Sequence, residues 1–355
     1  MNSVERFYAT IERRQVDRPA AWLGIPSPQA QPGLFAEYGV NNLHDLKLAV
    51  GDDLYSVAIP YKSEYSASIS SAFDWYLDGK VRITNRTLTA DGCFKNCETA
   101  EDLAFFKWPE PEKYIDPEEC RRLVDQAPEG KAVLGVLWST HFQNTCASFG
   151  METALMNMVS NPELVEAVDN KIVDFFLRAN EVFYKAVCGP GGPARKEGRR
   201  LHAVLIGDDV GTQRGLLVSP ALIRRFVIPG CRALADQAHS YGLKVIYHSC
   251  GSVADAIPDM IEAGADAIHP IQALAAGMDA AGLRERYGNR VSFCGGVDTQ
   301  QLLVHGAPKD VKRKIQELRE LFPTGLIISP SHEAILDDVP PANIRALFEE
   351  AGKIY

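Results

Sequence analysis

His248 and Cys250 stand one residue apart at the end of a short apolar run, Lys244–Tyr247. On an extended chain, residues two apart point to the same side, so an imidazole and a thiol face a common space. A borderline-soft cation such as zinc takes that pair readily; a catalytic site adds a third protein ligand and keeps one position open. His332 and Cys294, each closing or following a later apolar run, are the contenders for the third ligand. The alternative is a buried thiol beside a hydrogen-bonded histidine.

Other titratable groups occupy matching places. Asp208-Asp209 follow one run and His269 closes another. Asp298 follows Cys294-Gly295-Gly296-Val297, and Ser331-His332-Glu333 follow the last run. Adjacent carboxylates at a strand end are costly to leave without partners. Asp208 or Asp209 therefore reads as a general base or as the outer partner of a metal-bound histidine, against a helix cap with a salt bridge. Asp298 divides between catalytic group and cap. Gln213, His269 and Glu333 are candidate substrate contacts, with Trp138, Tyr247 and Phe149 as aromatic walls. His269 reads equally as a packed histidine, and Glu152 as a cavity residue or a first-turn helix acid. Cys93 and Cys97 form a C-x₃-C pair that lacks two further ligands nearby.

The elements that must position these groups are eight apolar runs rich in β-branched residues: Ala20–Ile25, Leu54–Ile59, Ala132–Trp138, Ala203–Ile206, Lys244–Tyr247, Ala267–His269, Val291–Cys294 and Leu326–Ser329. Near-continuous apolar runs suit parallel strands covered on both faces. Between them lie segments with helical period. Asn161-Pro162 opens one through Phe183, Ser219-Pro220 opens Ala221–Tyr241, and Ser252–Ala263, Pro308–Leu321 and Pro341–Ala351 follow. Proline at the first turn and Gly242 or Gly264 at the close are proper helix punctuation. The pattern predicts an α/β fold, a (β/α)₈ TIM barrel, with its site at the C-terminal strand ends. One domain over residues 1–355 is expected, with an N-terminal extension and a β-hairpin excursion at Val81–Thr89 and Asp91-Gly92. The Gly189–Pro193 stretch, with Lys196, Arg199 and Arg200, reads as a solvated loop.

The chain has 355 residues, 46% hydrophobic and 23% charged, with a net charge of −9. That balance excludes a nucleic-acid binder, which needs a basic face. No run approaches the roughly 18 apolar residues of a membrane helix, and Met1–Ala9 lacks a signal-peptide pattern. Eight cysteines without regular spacing suit free thiols in a reducing cytoplasm.

Taken together, several motifs resemble one family. They are Asp208-Asp209-x-Gly211-x-Gln213-x-Gly215 with Ser219-Pro220, His248-Ser249-Cys250-Gly251-Ser252, Gly295-Gly296-Val297-Asp298-Thr299-Gln300, Ser331-His332, and Asp338-Val339-Pro340-Pro341 with Asn343-Ile344. The chain resembles the uroporphyrinogen decarboxylase superfamily, in the branch of methylcobalamin:coenzyme M methyltransferases and other corrinoid-dependent methyltransferases. The resemblance is strong over roughly residues 200–350. It implies a (β/α)₈ barrel, zinc, and a corrinoid on a partner protein, since the chain has no Asp-x-His-x-x-Gly cobalamin motif. It also implies a small-molecule methyl donor or acceptor and a homodimer.

Two departures stand out. Decarboxylases of the superfamily carry an N-terminal Arg-Gln-Ala-Gly segment that grips substrate carboxylates. The matching stretch here is Ala20-Ala21-Trp22-Leu23-Gly24-Ile25-Pro26, without arginine. The methyltransferase branch supplies a late cysteine to zinc where this chain has Ser331-His332. The expected activity is a zinc-dependent methyl transfer. A cofactor-free decarboxylase of a small carboxylated substrate and a non-catalytic ligand-binding barrel are the alternatives.

Overall fold

The computed structural model of the protein describes residues 1–73, 77–78, 81–82, 90–188 and 201–354. Seven of the eight expected runs form one curled parallel sheet: β1 (Leu54–Ala58), β2 (Ala132–Val136), β3 (Ala203–Gly207), β4 (Lys244–His248), β5 (Ala267–Ile271), β6 (Ser292–Val297) and β7 (Leu326–Pro330). Each pairs with its chain neighbour in sequential order.

The eighth run departs from the expectation. Ala20–Ile25 forms a single bridge, Ala21 with Ile328, and the short strand Ile25–Pro26 pairs with Ala334–Ile335 instead. The reason lies in two carboxylates. Asp53 accepts the Ala21 N–H at 2.9 Å and Asp52 accepts the Leu23 N–H at 2.9 Å, so side chains take donors that a backbone ladder would have used. On its other edge the segment meets β7: Trp22 N–H donates to the Ile328 carbonyl at 2.9 Å, and Ile328 N–H to Ala20 at 2.8 Å. The two edge strands, β1 and β7, are thus linked through residues 20–23.

Alternation along the strands splits the core. Ile246, Ala267, Cys294 and Ile327 join Trp22, Leu134, Val136 and Leu205 in an inner cluster, whereas Val245, Tyr247, Ile268 and Phe293 join the larger cluster that includes the helices. This is the period-two rule of a pleated strand covered on both faces. Helix α1 (Ser3–Ile11), begun by an Asn2–Glu5 capping box, adds Phe7 and Ile11 to the inner cluster. Ser292, the first residue of β6, donates to the Ile11 carbonyl at 2.9 Å and so ties α1 to the start of the sheet.

The helices that position the site are α2 (His141–Phe149), α3 (Pro162–Cys188), α4 (Ile228–Ser240), α5 (Pro308–Leu321) and α6 (Pro341–Ala351). The expected helix over Ala221–Tyr241 is two, Pro220–Phe226 and α4, because Pro229 lacks an N–H and its ring blocks a continuous turn. Ser252–Ala263 likewise reduces to a 3₁₀ turn, Ala254–Ala256, and the helix Ile257–Glu262. In the excursion, Leu77–Asp78 pairs antiparallel with Val81–Arg82, while residues 83–89 lie outside the described residues. Gly92 makes no hairpin turn there; its N–H donates to the Phe149 carbonyl at 3.1 Å. The loop Gly189–Pro193, with Lys196, Arg199 and Arg200, also lies outside the described residues. Among the described residues, no helix is long and apolar enough to cross a membrane.

Candidate metal centre

His248 is the last residue of β4 and lies two residues beyond Ile246, on the inner face of the sheet. Gly207 lets the neighbouring strand pass it. Its φ is +130°, and a Cβ there would sit 2.2 Å from the His248 carbonyl oxygen, so no other residue fits without moving β3 from β4. The buried imidazole uses both nitrogens. Nε2 stands 3.2 Å from Asp209 Oδ1 and 3.6 Å from Cys250 Sγ. Nδ1 stands 2.8 Å from His269 Nδ1 and 3.8 Å from Glu333 Oε2.

Asp209 reaches this point because it lies two residues after the inner-facing Gly207. Its Oδ1 also accepts the Cys250 N–H at 2.8 Å, and its Oδ2 accepts from Gln143 Nε2 on α2 at 3.3 Å. One carboxylate therefore ties the histidine and the backbone of the cysteine together. Burial pushes its pKa up, but the His248 contact and the Cys250 N–H outweigh that and hold it at about 2.

His332 and Glu333 arrive from beyond β7. Gly24, with φ +82°, lets the chain approach the Glu333 carbonyl, where a Cβ would come within 2.5 Å. Ile25 N–H then donates to that carbonyl at 2.6 Å and fixes the turn. The Glu333 carboxylate is largely buried, 3.4 Å from His332 Nδ1. The segment after β7 is thus held by the run that does not form a full strand.

Three overlapping sets of donor atoms, each within 4.8 Å of one another, result: Asp209, His248 and Cys250; His248, His269 and Glu333; Cys250, His332 and Glu333. The structure brings His248, Cys250 and His332 together with two carboxylates. It does not bring Cys294, which is fully buried in the inner cluster with its thiol pushed up by burial. A thiol, imidazoles and carboxylates are the donors zinc takes. The protonation balance fits a cation as well. Burial opposes charge on His248, yet Asp209, Cys250 and Glu333 hold its pKa well above the ordinary value. The Cys250 thiol raises His332. Sites that hold protons this way exchange them for a bound cation. Glu333 Oε2 and His269 Nε2 are buried without a hydrogen-bond partner among the described residues, as expected of groups waiting for a ligand.

Trp138, half-buried and with φ +47°, stands edge-on to His248 with ring centroids 5.6 Å apart. Tyr247 faces away, because it neighbours His248 on the strand; its hydroxyl lies 2.7 Å from Cys231 Sγ on α4. Asp208 is fully buried on the helix side and accepts the Phe142 and Gln143 N–H groups at 2.9 and 2.8 Å, capping α2. Burial raises its pKa to about 6. Asp298 accepts the N–H groups of Gln301 and Leu302 at 2.7 and 2.8 Å, so it caps the turn after β6. Gln213 and Glu152 are exposed. The cysteines form no disulfide, and Cys93 and Cys97 make no metal-binding set, among the described residues.

One polar cluster escaped the sequence reading. His141 Nδ1 lies 2.8 Å from Asp169 Oδ1 on α3, and its Nε2 lies 3.6 Å from Asp208 Oδ2 and 3.5 Å from Cys231 Sγ. Gly230 makes room for it, since a Cβ there would come within 2.6 Å of the ring. The only signal was polar residues on helical faces that otherwise read as core.

With fold and site in view, the comparisons are specific at one level. Residues 99–354 match the uroporphyrinogen decarboxylase (URO-D) family. The chain belongs to that family. Among solved structures it is similar to a methyltransferase from Methanosarcina mazei, at a TM-score of 0.72 and 15% identity, covering 99% of this chain and 98% of the other. A Listeria monocytogenes chain assigned as a vitamin-B12-independent methionine synthase matches at 0.46 and 11%, covering 96% and 98%. At 15% identity the likeness to the Methanosarcina mazei methyltransferase is one of fold. No curated protein sequence matches the chain.

Proposed function

We propose that the chain is a zinc-dependent methyltransferase, moving a methyl group between a corrinoid on a partner protein and a small thiol or methylated substrate. The observation that carries this reading is the convergence of Cys250 with His248 Nε2, His332 and the carboxylates of Asp209 and Glu333 at one rim of the sheet. Family membership and the fold shared with the Methanosarcina mazei methyltransferase support it. His248, Cys250 and His332 would hold the zinc. Bound there, zinc supplies Lewis acidity, which makes a thiol a better nucleophile or weakens a methyl ether.

The chain's own residues do the rest. Asp209 Oδ1 accepts the Cys250 N–H and stands with His248 Nε2 and Cys250 Sγ in one donor set, so it would share the metal with them. Trp138 walls the histidine on one side and keeps water from it. Glu333, whose Oε2 lies 3.4 Å from His332 Nδ1 but accepts no hydrogen bond among the described residues, takes or returns the proton of a thiol substrate. In this reading the 355 residues form one cytoplasmic (β/α)₈ domain, closed through residues 20–23, with the corrinoid protein docking over the strand ends.

The test is methyl transfer from free methylcobalamin to a series of small thiols, followed by the cobalamin absorbance change. Turnover that requires zinc and falls at least about 100-fold in Cys250→Ala is expected. Rates unaltered by zinc removal and by Cys250→Ala would overturn the proposal.

A further inference from the structure

We infer that His269 is a positioning residue for the proposed zinc: its Nδ1 accepts the Nδ1–H of His248 and holds that ring in the tautomer whose Nε2 lone pair faces Cys250. The inference rests on the zinc reading above and concerns residues on two neighbouring strands.

The two Nδ1 atoms lie 2.8 Å apart. A hydrogen bond between two ring nitrogens holds one proton, so one ring donates and the other accepts. If His269 donated, a neutral His248 would carry its hydrogen on Nε2, turned toward Asp209 Oδ1 at 3.2 Å and Cys250 Sγ at 3.6 Å, and would have no lone pair there for a metal. If His248 donates, its Nε2 lone pair faces that sulfur and the ring is ready to ligate. Metal-bound histidines lean on an acceptor behind them in this way, most often a carboxylate or a carbonyl. Here the nearest carboxylate oxygen, Glu333 Oε2, is 3.8 Å from Nδ1, beyond hydrogen-bond reach, and the imidazole of His269 takes its place.

His269 is built to stay there. It pairs in register with His248 across β4 and β5, and its carbonyl accepts the Ser249 N–H at 2.9 Å. It is fully buried on the inner face, with the Trp22 ring edge-on at 5.2 Å. Its own hydrogen then sits on Nε2, which is buried without a partner among the described residues.

The experiment is zinc titration of the full chain against a chromophoric chelator, for wild type, His269→Asn, His269→Phe and Cys250→Ala. Asparagine keeps an acceptor near the Nδ1 position and should bind zinc within a few-fold of wild type. Phenylalanine removes the acceptor and should weaken zinc about 10- to 100-fold while still reaching one zinc per chain. Long-range ¹⁵N–¹H spectra of the zinc-loaded wild-type protein, which need no substitution, should show the His269 hydrogen on Nε2 and its Nδ1 unprotonated. Equal affinity in all the His269 variants, a stoichiometry below one in His269→Asn, or a His269 hydrogen on Nδ1 would overturn the inference. Wild-type zinc affinity in Cys250→Ala would instead overturn the zinc reading beneath it.

Discussion

Asp209 Oδ1 lies 3.2 Å from His248 Nε2 while accepting the Cys250 N–H at 2.8 Å, so one carboxylate sets both proposed ligands of a metal. Asp209→Asn keeps the shape but removes the charge that faces the imidazole. Zinc affinity is expected to fall about 10- to 100-fold, and the zinc-free protein should lose about 1 kcal/mol at pH 7, because the contacts that hold this half-exposed carboxyl at about 2 stabilise the fold. Chelator competition and thermal unfolding on the same preparation measure both. An unchanged affinity would remove Asp209 from the site.

Gly24 links the incomplete first strand to the candidate metal centre. An alanine there meets two penalties: a φ of +82° and a Cβ 2.5 Å from the Glu333 carbonyl oxygen. Gly24→Ala should cost about 2 kcal/mol or more in denaturant unfolding and should also weaken zinc by displacing Glu333. A variant as stable as wild type would mean that residues 24 and 333 part without cost.

Asp53 takes the Arg6 and Arg18 guanidinium groups at 2.7 Å each and the Ala21 N–H at 2.9 Å, all within the buried base of the sheet. Asp53→Ala strips Arg18 of its carboxylate and the Ala21 N–H of its acceptor, and leaves Arg6 with Asp17 alone. A loss of about 3–5 kcal/mol is expected, read from the denaturant midpoint. A loss below about 1 kcal/mol would show that the arginines reach water.

Asp17 supplies a pH dependence. The hydrogen bond from Arg6, at 2.8 Å, holds its carboxyl well below the usual range against a smaller opposing effect of burial. A depressed carboxyl adds stability above its unfolded pKa near 3.9 and loses it as the pH falls. Asp17→Asn should therefore cost about 1–2 kcal/mol at pH 7, and the gap from wild type should close as the pH drops below about 4. A gap independent of pH would contradict the pairing.

Much of the site was legible because strands have a period of two and end where apolar runs end. His248, Cys250, Asp209, His332 and Glu333 were all identified from their places at run ends. The same rule places Tyr247 on the opposite face from His248, and its aromatic character misled. Asp208 and Asp209 are adjacent, yet one caps α2 and the other joins the His248–Cys250 donor group, a division that depends on where helix 141–149 docks. The His248–His269 contact follows from the pairing register of two strands, which no local pattern encodes. The missing ladder at 20–25 has the same character: its hydrogen bonds go to the side chains of Asp52 and Asp53, about 30 residues further along the chain. Pro229 did announce the break between Pro220–Phe226 and α4, but the surrounding helical period hid it.

The most direct measurement is the metal content and zinc K-edge absorption spectrum of the full chain purified without chelator. One zinc per chain is expected, with a single sulfur among nitrogen and oxygen neighbours, and its loss in Cys250→Ala and His248→Ala. A protein free of zinc, or one that keeps its zinc in both variants, would contradict the metal centre on which the proposed methyl transfer depends.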